Sequence, residues 1–357
     1  MRKSRDLAQI ADERLRNQRI TRPGPSRPEE VVAWMGAVQA QEYGPAKWGL
    51  ALRSAPGITD DAVEQAIAQG RILRTHILRP TWHFVTPADI RWMLELTATH
   101  VHRRMATYDL QMGLDSAVKT RAANVLERTL GDGGCRTRAE LGSELERAGL
   151  PGKSRELAHL MLYAELEGLI CSGPRRGKQF TYALLANQAP AGRTLPRDEA
   201  LAELTLRYLR SHGPATIRDF VWWSGLKTTD AKRGLEVSGA TSREVDGLKY
   251  WSLDGSVGRI ARPNTTVHLL PVYDEYLVAY RDQQAVPRPA YVLGSFQHAL
   301  VIGGQTAGTW RVIPARTSIV VEVTPHRRLT PTERRRLSQE VARYGRFLGV
   351  AANESLA

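Results

Sequence analysis

The stretch TRAELGSELERAGLPGKSRELAHLMLYAELEGLICSGPRRGKQFTYALL, residues 137–185, decides the fold. Its first part has the apolar spacing of two helices, which are joined at Leu150-Pro151-Gly152. It continues into two short strand-like runs on either side of a basic turn that contains glycine. Helices followed by a β-hairpin are typical of a winged helix, the helix-turn-helix variant that carries a hairpin as its wing.

The same order of elements occurs before and after this stretch. In residues 28–85, helical runs lead to two β-like runs, RTHILR and TWHFV, which we expect to be separated at Pro80. In residues 198–253, three helical runs precede a hairpin with Asp246-Gly247 at its turn. The pattern predicts three tandem copies of one helix–hairpin unit.

The charge of the chain indicates its class of partner. Among 357 residues there are 50 Lys+Arg against 37 Asp+Glu, a formal net charge of +13. Such an excess on a folded protein favours a polyanionic partner, with nucleic acid first. Apolar residues make up 42% of the sequence, which is enough for a normal core.

Cysteines and the N-terminal sequence limit the other classes. Cys135 and Cys171 are the two cysteines, and they form no CxxC motif, so neither a disulfide framework nor a cysteine zinc site is expected. A long apolar run and a basic-then-apolar leader are both absent from the sequence. We expect a cytoplasmic, nucleoid-associated protein with no membrane partner, no metal and no cofactor.

After residue 260 the sequence becomes mostly strand-like. A basic helix follows, with Thr330 as its expected N-cap. The strand-like runs include VHLLPVYDEYLVAY (267–280), AYVLGSF (290–296), ALVIGGQTAGTWRVI (299–313) and TSIVVEV (317–323). We predict an α+β fold, mainly helical, in which three winged-helix units and a C-terminal α+β region form a concave DNA-binding channel. The predicted units are residues 1–112, 113–195 and 196–258, and the C-terminal region is 259–357.

Gln39-Ala40-Gln41 is an unusual polar group beside a hydrophobic run. We expect it at the end of a helix that Gly44-Pro45 stops. Positions i and i+2 of a helix do not face the same way, so both amides reach one site only if the helix unwinds. From this pattern alone, amides that cap carbonyls or face solvent are the favoured interpretation.

Basic residues at two hairpins are candidates for contacts with DNA. Arg175, Arg176 and Lys178 occupy the predicted wing tip of the second unit, where phosphate contacts would give affinity without sequence information. A solvated charged turn is an equally good explanation of these residues.

The first hairpin carries a second set of candidates. His76, Arg79 and His83 surround its turn and would line a nucleic-acid site or hold a phosphate. The alternative is that the histidines are satisfied within the hairpin. A metal site is disfavoured because no third ligand has suitable spacing.

Lys47 and Arg281 complete the DNA-binding candidates. Lys47 is also the residue that could form a Schiff base with an abasic sugar, although a single lysine is thin evidence for that chemistry. Arg281 precedes AVPRPAY, residues 285–291, a segment that could touch DNA.

Two further groups have both a functional and a structural interpretation. Asp274 and Glu275 offer stronger bases than an amide, and the alternative is a structural role for the YDEY segment. Trp222, Trp223 and Trp310 could stack on bases, yet core packing is expected at their spacing.

Five motifs in order resemble the winged-helix DNA glycosylases of the AlkZ type, from about Leu15 to Val323. They are VQAQ (38–41), HILRPTWHF (76–84), HGPATIRDFVWWSGL (212–226), LLPVYDEYLVAYRD (269–282) and GTWRV (308–312). The resemblance implies tandem winged helices around a DNA channel and excision of alkylated purines, including interstrand crosslinks. Some members protect producers of DNA-alkylating natural products. The family's catalytic signature is glutamine, an apolar residue, then glutamine or aspartate, so the resemblance places catalysis on Gln39 and Gln41 and favours a structural role for Asp274 and Glu275.

The resulting hypothesis is a monofunctional DNA glycosylase, a hydrolase of N-glycosidic bonds, acting in repair or self-resistance. Its expected partner is double-stranded DNA with an alkylated purine or a crosslink, bound by a monomer. The alternative is a non-catalytic protein or regulator that binds DNA through several winged helices. A third, weaker hypothesis is a different nucleic-acid hydrolase that uses Asp274 and Glu275.

Overall fold

Three parts of the chain repeat one order of elements in the computed structural model, which describes residues 2–22, 24–190, 193–253, 265–287 and 297–357. In each part a strand of two residues precedes two helices and a β-hairpin. The short strand pairs with the second strand of the hairpin, which gives three sheets of three strands. The expected mixture of helices and hairpins is confirmed, and the boundaries of the four units stay predictions.

The first part comprises α1 (Arg2–Asn17), α2 (Pro28–Met35), β1 (Val38–Gln39), α3 (Tyr43–Leu52), α4 (Asp60–Ala68), β2 (Leu73–Ile77) and β3 (Arg79–Val85). The second comprises α5 (Ile90–Gln111), α6 (Ser116–Leu130), β4 (Arg136–Thr137), α7 (Arg138–Arg147), α8 (Ser154–Leu166), β5 (Ile170–Arg176), β6 (Gln179–Leu184) and α9 (Leu185–Gln188). The third comprises α10 (Arg197–His212), β7 (Ala215–Thr216), α11 (Ile217–Ser224), α12 (Thr228–Val237), β8 (Thr241–Val245) and β9 (Leu248–Ser252). Their sheets have the orders β1-β3-β2, β4-β6-β5 and β7-β9-β8.

The C-terminal part is a five-stranded sheet in chain order, packed against a long helix. It comprises β10 (Val267–Leu270), α13 (Glu275–Val278), β11 (His298–Ile302), β12 (Gln305–Pro314), β13 (Ser318–Pro325), α14 (Pro331–Leu348) and β14 (Ala351–Leu356). Neighbouring strands are antiparallel except β14, which runs parallel to β13 after the helical crossover. The sequence did not predict β14, and the expected strand at 290–296 lies outside the described residues.

Helix starts follow the sequence signals closely. Thr137, Thr216 and Thr330 each form a capping box, in which the threonine and an acidic residue three positions later satisfy each other's backbone N–H. The break in the first hairpin was predicted at Pro80 and is at Leu78, which has φ 62°. Pro80 belongs to β3 but is not among the residues of β3 that pair with β1. Its missing N–H therefore removes no hydrogen bond between these two strands.

The first part contributes to two hydrophobic cores. Its helices pack with the C-terminal sheet through residues such as Trp48 and Leu269. Its hairpin packs with α5 and the third part, where Ile77 and Trp223 belong to one cluster. Strand β1 lies where these cores meet, because Ala37 belongs to the second cluster and the next residue to the first.

No helix within the described ranges is both long enough and apolar enough to cross a lipid bilayer.

Candidate active site

Gln39 lies on the short strand β1 and Gln41 in the bend that follows it, so the expected helix end is wrong. Helix α2 ends at Met35, where Gly36 takes φ 82°, a conformation that favours glycine. The chain then enters β1 at Val38 and Gln39. Gly44-Pro45 begins a helix instead of ending one, because both residues lie in the first turn of α3, where backbone N–H groups have no helical partner.

The observed backbone directs the two glutamine side chains differently from the helix that the sequence predicted. Gln39 lies opposite His83 on β3, and the Ala40 N–H donates to the Trp82 carbonyl at 2.7 Å. Outside a helix, Gln39 and Gln41 are no longer required to diverge as positions i and i+2 of a helix do. Ala40 between them is fully buried, Gln39 is buried and Gln41 is half-buried.

Arg79 holds the amide of Gln39. Its Nη2 donates to Gln39 Oε1 at 3.3 Å, which fixes the oxygen and leaves one acceptor lone pair free. Burial of the guanidinium lowers the pKa of Arg79, and the nearby charge of Glu275 acts in the opposite direction. Arg79 begins β3, so the short hairpin brings it to the glutamine strand.

Glu275 lies behind this strand and was not expected there. Its Oε1 accepts the Gln39 backbone N–H at 2.7 Å. Its Oε2 accepts from Trp223 Nε1 at 3.1 Å and from His212 Nε2 at 3.3 Å. Burial alone would raise the pKa of Glu275, but the His212 bond and the charges of nearby cations outweigh it and hold the pKa at about 2. The carboxyl is therefore ionised although it is only 1% exposed.

The hairpin histidines are enclosed. His83 is fully buried and donates from Nδ1 to the Thr81 carbonyl at 2.9 Å. Burial, with the charge of Arg79, lowers the pKa of His83 to about 3, so the ring is neutral. His76 bonds to Glu165 through Nδ1, and its ring lies 4.3 Å from that of Trp82. The partner of His76 belongs to α8, outside the hairpin, and His83 Nε2 is buried without a hydrogen-bond partner among the described residues, so the alternative in which both histidines are satisfied within the hairpin is not met.

Lys47 and Arg175 both contact the carboxylate of Glu64. Lys47 is buried and contacts Asp60 and Glu64, each at 2.8 Å. Arg175 is 3.7 Å from the same Glu64 and lies over the Tyr43 ring at 5.2 Å. This cluster joins the hairpin β5–β6 to the first part, which is a structural role for two predicted DNA contacts.

The other basic candidates are at the surface. Arg176 is exposed and pairs with Glu140 at 2.7 Å, while Lys178 is exposed in the turn after β5. Arg281 is exposed, and its guanidinium lies 5.4 Å from the Trp222 ring.

Trp222 was expected in the core and is 40% exposed, whereas Trp223 and Trp310 are buried as predicted. The Trp222 indole N–H is fixed to the Val278 carbonyl at 2.9 Å. The ring also lines a 280 Å³ cleft together with Arg218 and Arg281. An anchored, exposed indole between cations is suited to stacking on a base.

Asp274 has no free carboxylate oxygen for a reacting water. It forms a buried bidentate pair with Arg53, at 2.7 and 2.8 Å, and caps α13 through the Tyr276 N–H. This supports the structural interpretation of Asp274. No cluster of three or more metal-ligating side chains occurs in the part of the chain that the structure describes.

Arg74 is a contact that the sequence did not reveal. Its Nε donates to the Ala40 carbonyl at 3.0 Å, and its guanidinium lies 4.3 Å from the Trp82 ring. It also lies 4.9 Å from the ring of Phe180 in the second part. The residue therefore links the glutamine strand to the hairpin β5–β6 of the second part, and only tertiary packing shows this.

Known proteins are similar to this chain both in sequence and in fold. The chain matches the family model for DNA glycosylase AlkZ-like proteins over residues 32–347. An interstrand DNA cross-link repair glycosylase of Streptomyces sahachiroi is 27% identical over 355 residues, covering 90% of this chain and 91% of that protein. The solved structure of Streptomyces sahachiroi DNA glycosylase AlkZ superposes with a TM-score of 0.79 at 24% identity, over 98% of this chain and 99% of that one. The predicted resemblance is confirmed, and this chain belongs to the DNA glycosylase AlkZ-like family.

Proposed function

We propose that this protein hydrolyses the N-glycosidic bond of N7-alkylated purines in double-stranded DNA, with Gln39 and Gln41 holding the water. The observation that carries the proposal is the non-helical segment Gln39-Ala40-Gln41, in which Gln39 lies on strand β1 and Gln41 in the bend after it. Its first amide oxygen is fixed by Arg79, and its backbone by Glu275. Because this segment is not helical, both amides can face one water, which positions i and i+2 of a helix would not allow.

The chemistry needs a positioned water more than a strong base. An N7-alkylguanine carries a positive charge, so it leaves without a general acid. The C1′–N9 bond breaks with its electron pair passing to the purine, and the water oxygen bonds to C1′. The products are the neutral alkylated base, an abasic site and one proton released to solvent. Neutral amides accept hydrogen bonds from the water and aim it, which supplies rate by positioning and electrostatic stabilisation.

The surroundings of the site favour this mechanism over its rivals. Lys47 is held by two carboxylates, so a Schiff base with the abasic sugar is disfavoured and the enzyme is monofunctional. The carboxylate of Asp274 forms an ion pair with Arg53, which disfavours it as the base. His83 is buried and neutral, and its Nδ1–H is committed to a carbonyl.

Surface cations supply DNA affinity in this proposal. Lys178 and Arg281 are exposed, and Trp222 provides a stacking surface beside Arg281. With a net charge of +13, the chain would bind the duplex as a monomer and be found with chromosomal DNA. The Streptomyces sahachiroi relative is named for cross-link repair, which supports extending the proposed substrates to interstrand crosslinks, in repair or in self-resistance.

The test is incubation with duplexes that contain 7-methylguanine or a defined crosslink, followed by detection of free base. We expect release from both by the wild type, and little release of uracil, because that neutral base is a poor leaving group. The variant Gln39→Ala/Gln41→Ala should bind DNA with unchanged affinity and lose release by at least about 100-fold. Full activity of this variant, or equal release of uracil, would contradict the mechanism. Binding without any base release by the wild type would favour a non-catalytic DNA-binding protein.

A further inference from the structure

Glu275 is a buried carboxylate that contacts the candidate active site. It is 1% exposed and begins α13, a helix of four residues in the C-terminal part. Burying an ionised carboxylate costs several kcal/mol unless hydrogen bonds and charges compensate it. Here the compensation comes from a residue of the candidate active site and from two residues of the third part.

The bond to Gln39 satisfies the open side of an edge strand. Strand β1 pairs with β3 on one side, and the Ala40 N–H points to that side. The Gln39 N–H points the other way, where an edge strand leaves its donors unpaired. Glu275 Oε1 accepts it at 2.7 Å, so the backbone of the glutamine is held from both sides.

Glu275 also acts on the side chain of Gln39 through charge. Burial lowers the pKa of Arg79, and the charge of the Glu275 carboxylate opposes that effect. Glu275 therefore stabilises the charged guanidinium beside Gln39. Arg79 in turn donates to the Gln39 amide oxygen at 3.3 Å. One carboxylate thus supports both the backbone and the amide of the same residue.

We infer that Glu275 is a positioning residue for Gln39, fixing the direction of its amide while taking no part in the chemistry. The inference rests on the proposed function, since it assigns Gln39 a role in aiming water. His212 and Trp223 hold the carboxylate from behind, so the third part of the chain sets the geometry of a site in the first part. Burial lowers the pKa of the His212 ring, the hydrogen bond to Glu275 acts in the opposite direction, and Nε2–H donates to that carboxylate at 3.3 Å.

The matched pair of variants is Glu275→Gln and Asp274→Asn. Both remove the charge of a buried carboxylate in adjacent positions, but Asp274 pairs with Arg53 and does not contact Gln39. We expect Glu275→Gln to lower the single-turnover rate of 7-methylguanine release by on the order of 100-fold, the effect of misplacing a catalytic group by about 1 Å. Its Kd for the same DNA should change less than twofold. Asp274→Asn should lose thermal stability and keep its rate.

The outcomes separate this inference from the proposed function. If Gln39→Ala loses activity and folded Glu275→Gln keeps the wild-type rate, the inference is overturned and the proposed function stands. If Gln39→Ala itself keeps full activity, the proposed mechanism fails first. Equal rate losses in Glu275→Gln and Asp274→Asn would show a general effect on the fold and overturn the inference. If Glu275→Gln does not fold, Trp223→Phe is the substitute variant, because it removes one donor to Glu275 Oε2. It should lower the rate of base release by about 3- to 10-fold. An unchanged rate in Trp223→Phe would overturn the inference.

Discussion

At the scale of single residues, the site depends on buried groups held in one protonation state. His83 is neutral because burial lowers its pKa to about 3, and Glu275 is ionised because its partners hold its pKa at about 2. In the unfolded chain both groups return to ordinary values, near 6.5 and 4.5. Between the folded and unfolded pKa values the unfolded state binds more protons, so folding stability rises with pH in that range.

This difference predicts a loss of stability in mild acid. As pH falls from 7 to 5, His83 becomes protonated in the unfolded chain but stays neutral in the folded one. This difference lowers the free energy of unfolding by about 2 kcal/mol. Below about pH 4.5 the unfolded form of Glu275 begins to contribute in the same direction. Urea denaturation at a series of pH values measures the effect.

The control for this prediction is His83→Gln, which keeps a polar side chain that cannot be protonated. Its free energy of unfolding should fall less steeply between pH 7 and 5 than that of the wild type. His212, whose pKa burial also lowers, keeps a residual slope in the variant. Identical slopes in the two proteins would show that His83 is not buried as a neutral ring.

At the scale of elements, the site depends on how the first hairpin meets helix α11. Gly225 ends α11 with φ 71°, and a Cβ placed there would lie 2.1 Å from the Leu78 carbonyl oxygen. Leu78 immediately precedes Arg79, the residue that holds the amide of Gln39. The close approach of two backbones therefore determines where Arg79 is placed, and glycine is the residue that permits it.

Gly225→Ala tests this contact, and Gly239→Ala is its matched control. Both glycines have positive φ, 71° and 67°, but nothing lies within 4 Å of a Cβ at Gly239. The shared backbone strain should cost about 1–2 kcal/mol in each variant. Gly225→Ala should lose about 1–3 kcal/mol more, because the hairpin must move, and its base release should fall. Equal losses of unfolding free energy in the two variants, measured by denaturation, would argue against a steric role.

At the scale of the whole molecule, net charge overstates the charge available to DNA. Many cations of the described residues are already paired, such as Lys47 with Asp60 and Glu64, and Arg53 with Asp274. Such pairs release no counterions from DNA, so affinity should depend on the cations that remain accessible. Lys178 and Arg281, both exposed, are the predicted DNA contacts that meet this condition best.

The salt dependence of DNA affinity distinguishes these classes of cation. Lys178→Ala and Arg281→Ala should each lower the slope of log Kd against log salt concentration by about 0.9, the loss of one phosphate contact. Arg311→Ala is the control, because Arg311 is exposed but paired with Glu322 on the C-terminal sheet. An unchanged slope for Lys178→Ala would remove the turn after β5 from the DNA interface.

The sequence by itself determined most of the helices and hairpins, the α+β class and the family. Threonine caps, the Asp246-Gly247 turn and the helix–hairpin order depend on neighbours in the chain, and five ordered motifs identified the relatives. It failed at Gln39, because the choice between a helix end and an edge strand depends on pairing with β3, 44 positions away at His83 by the register 39↔83.

Only the tertiary structure decided what surrounds the two glutamines. Glu275 is 236 positions from Gln39, and Arg74 reaches Ala40 from β2 and is itself covered by Phe180 of the second part. Composition and spacing carry no record of such distant contacts. They arise because a buried N–H or carboxylate must find a partner wherever the packing of separate elements provides one. Gln39-Ala40-Gln41 is legible in the sequence as a motif, but its geometry is set by residues from all parts of the fold.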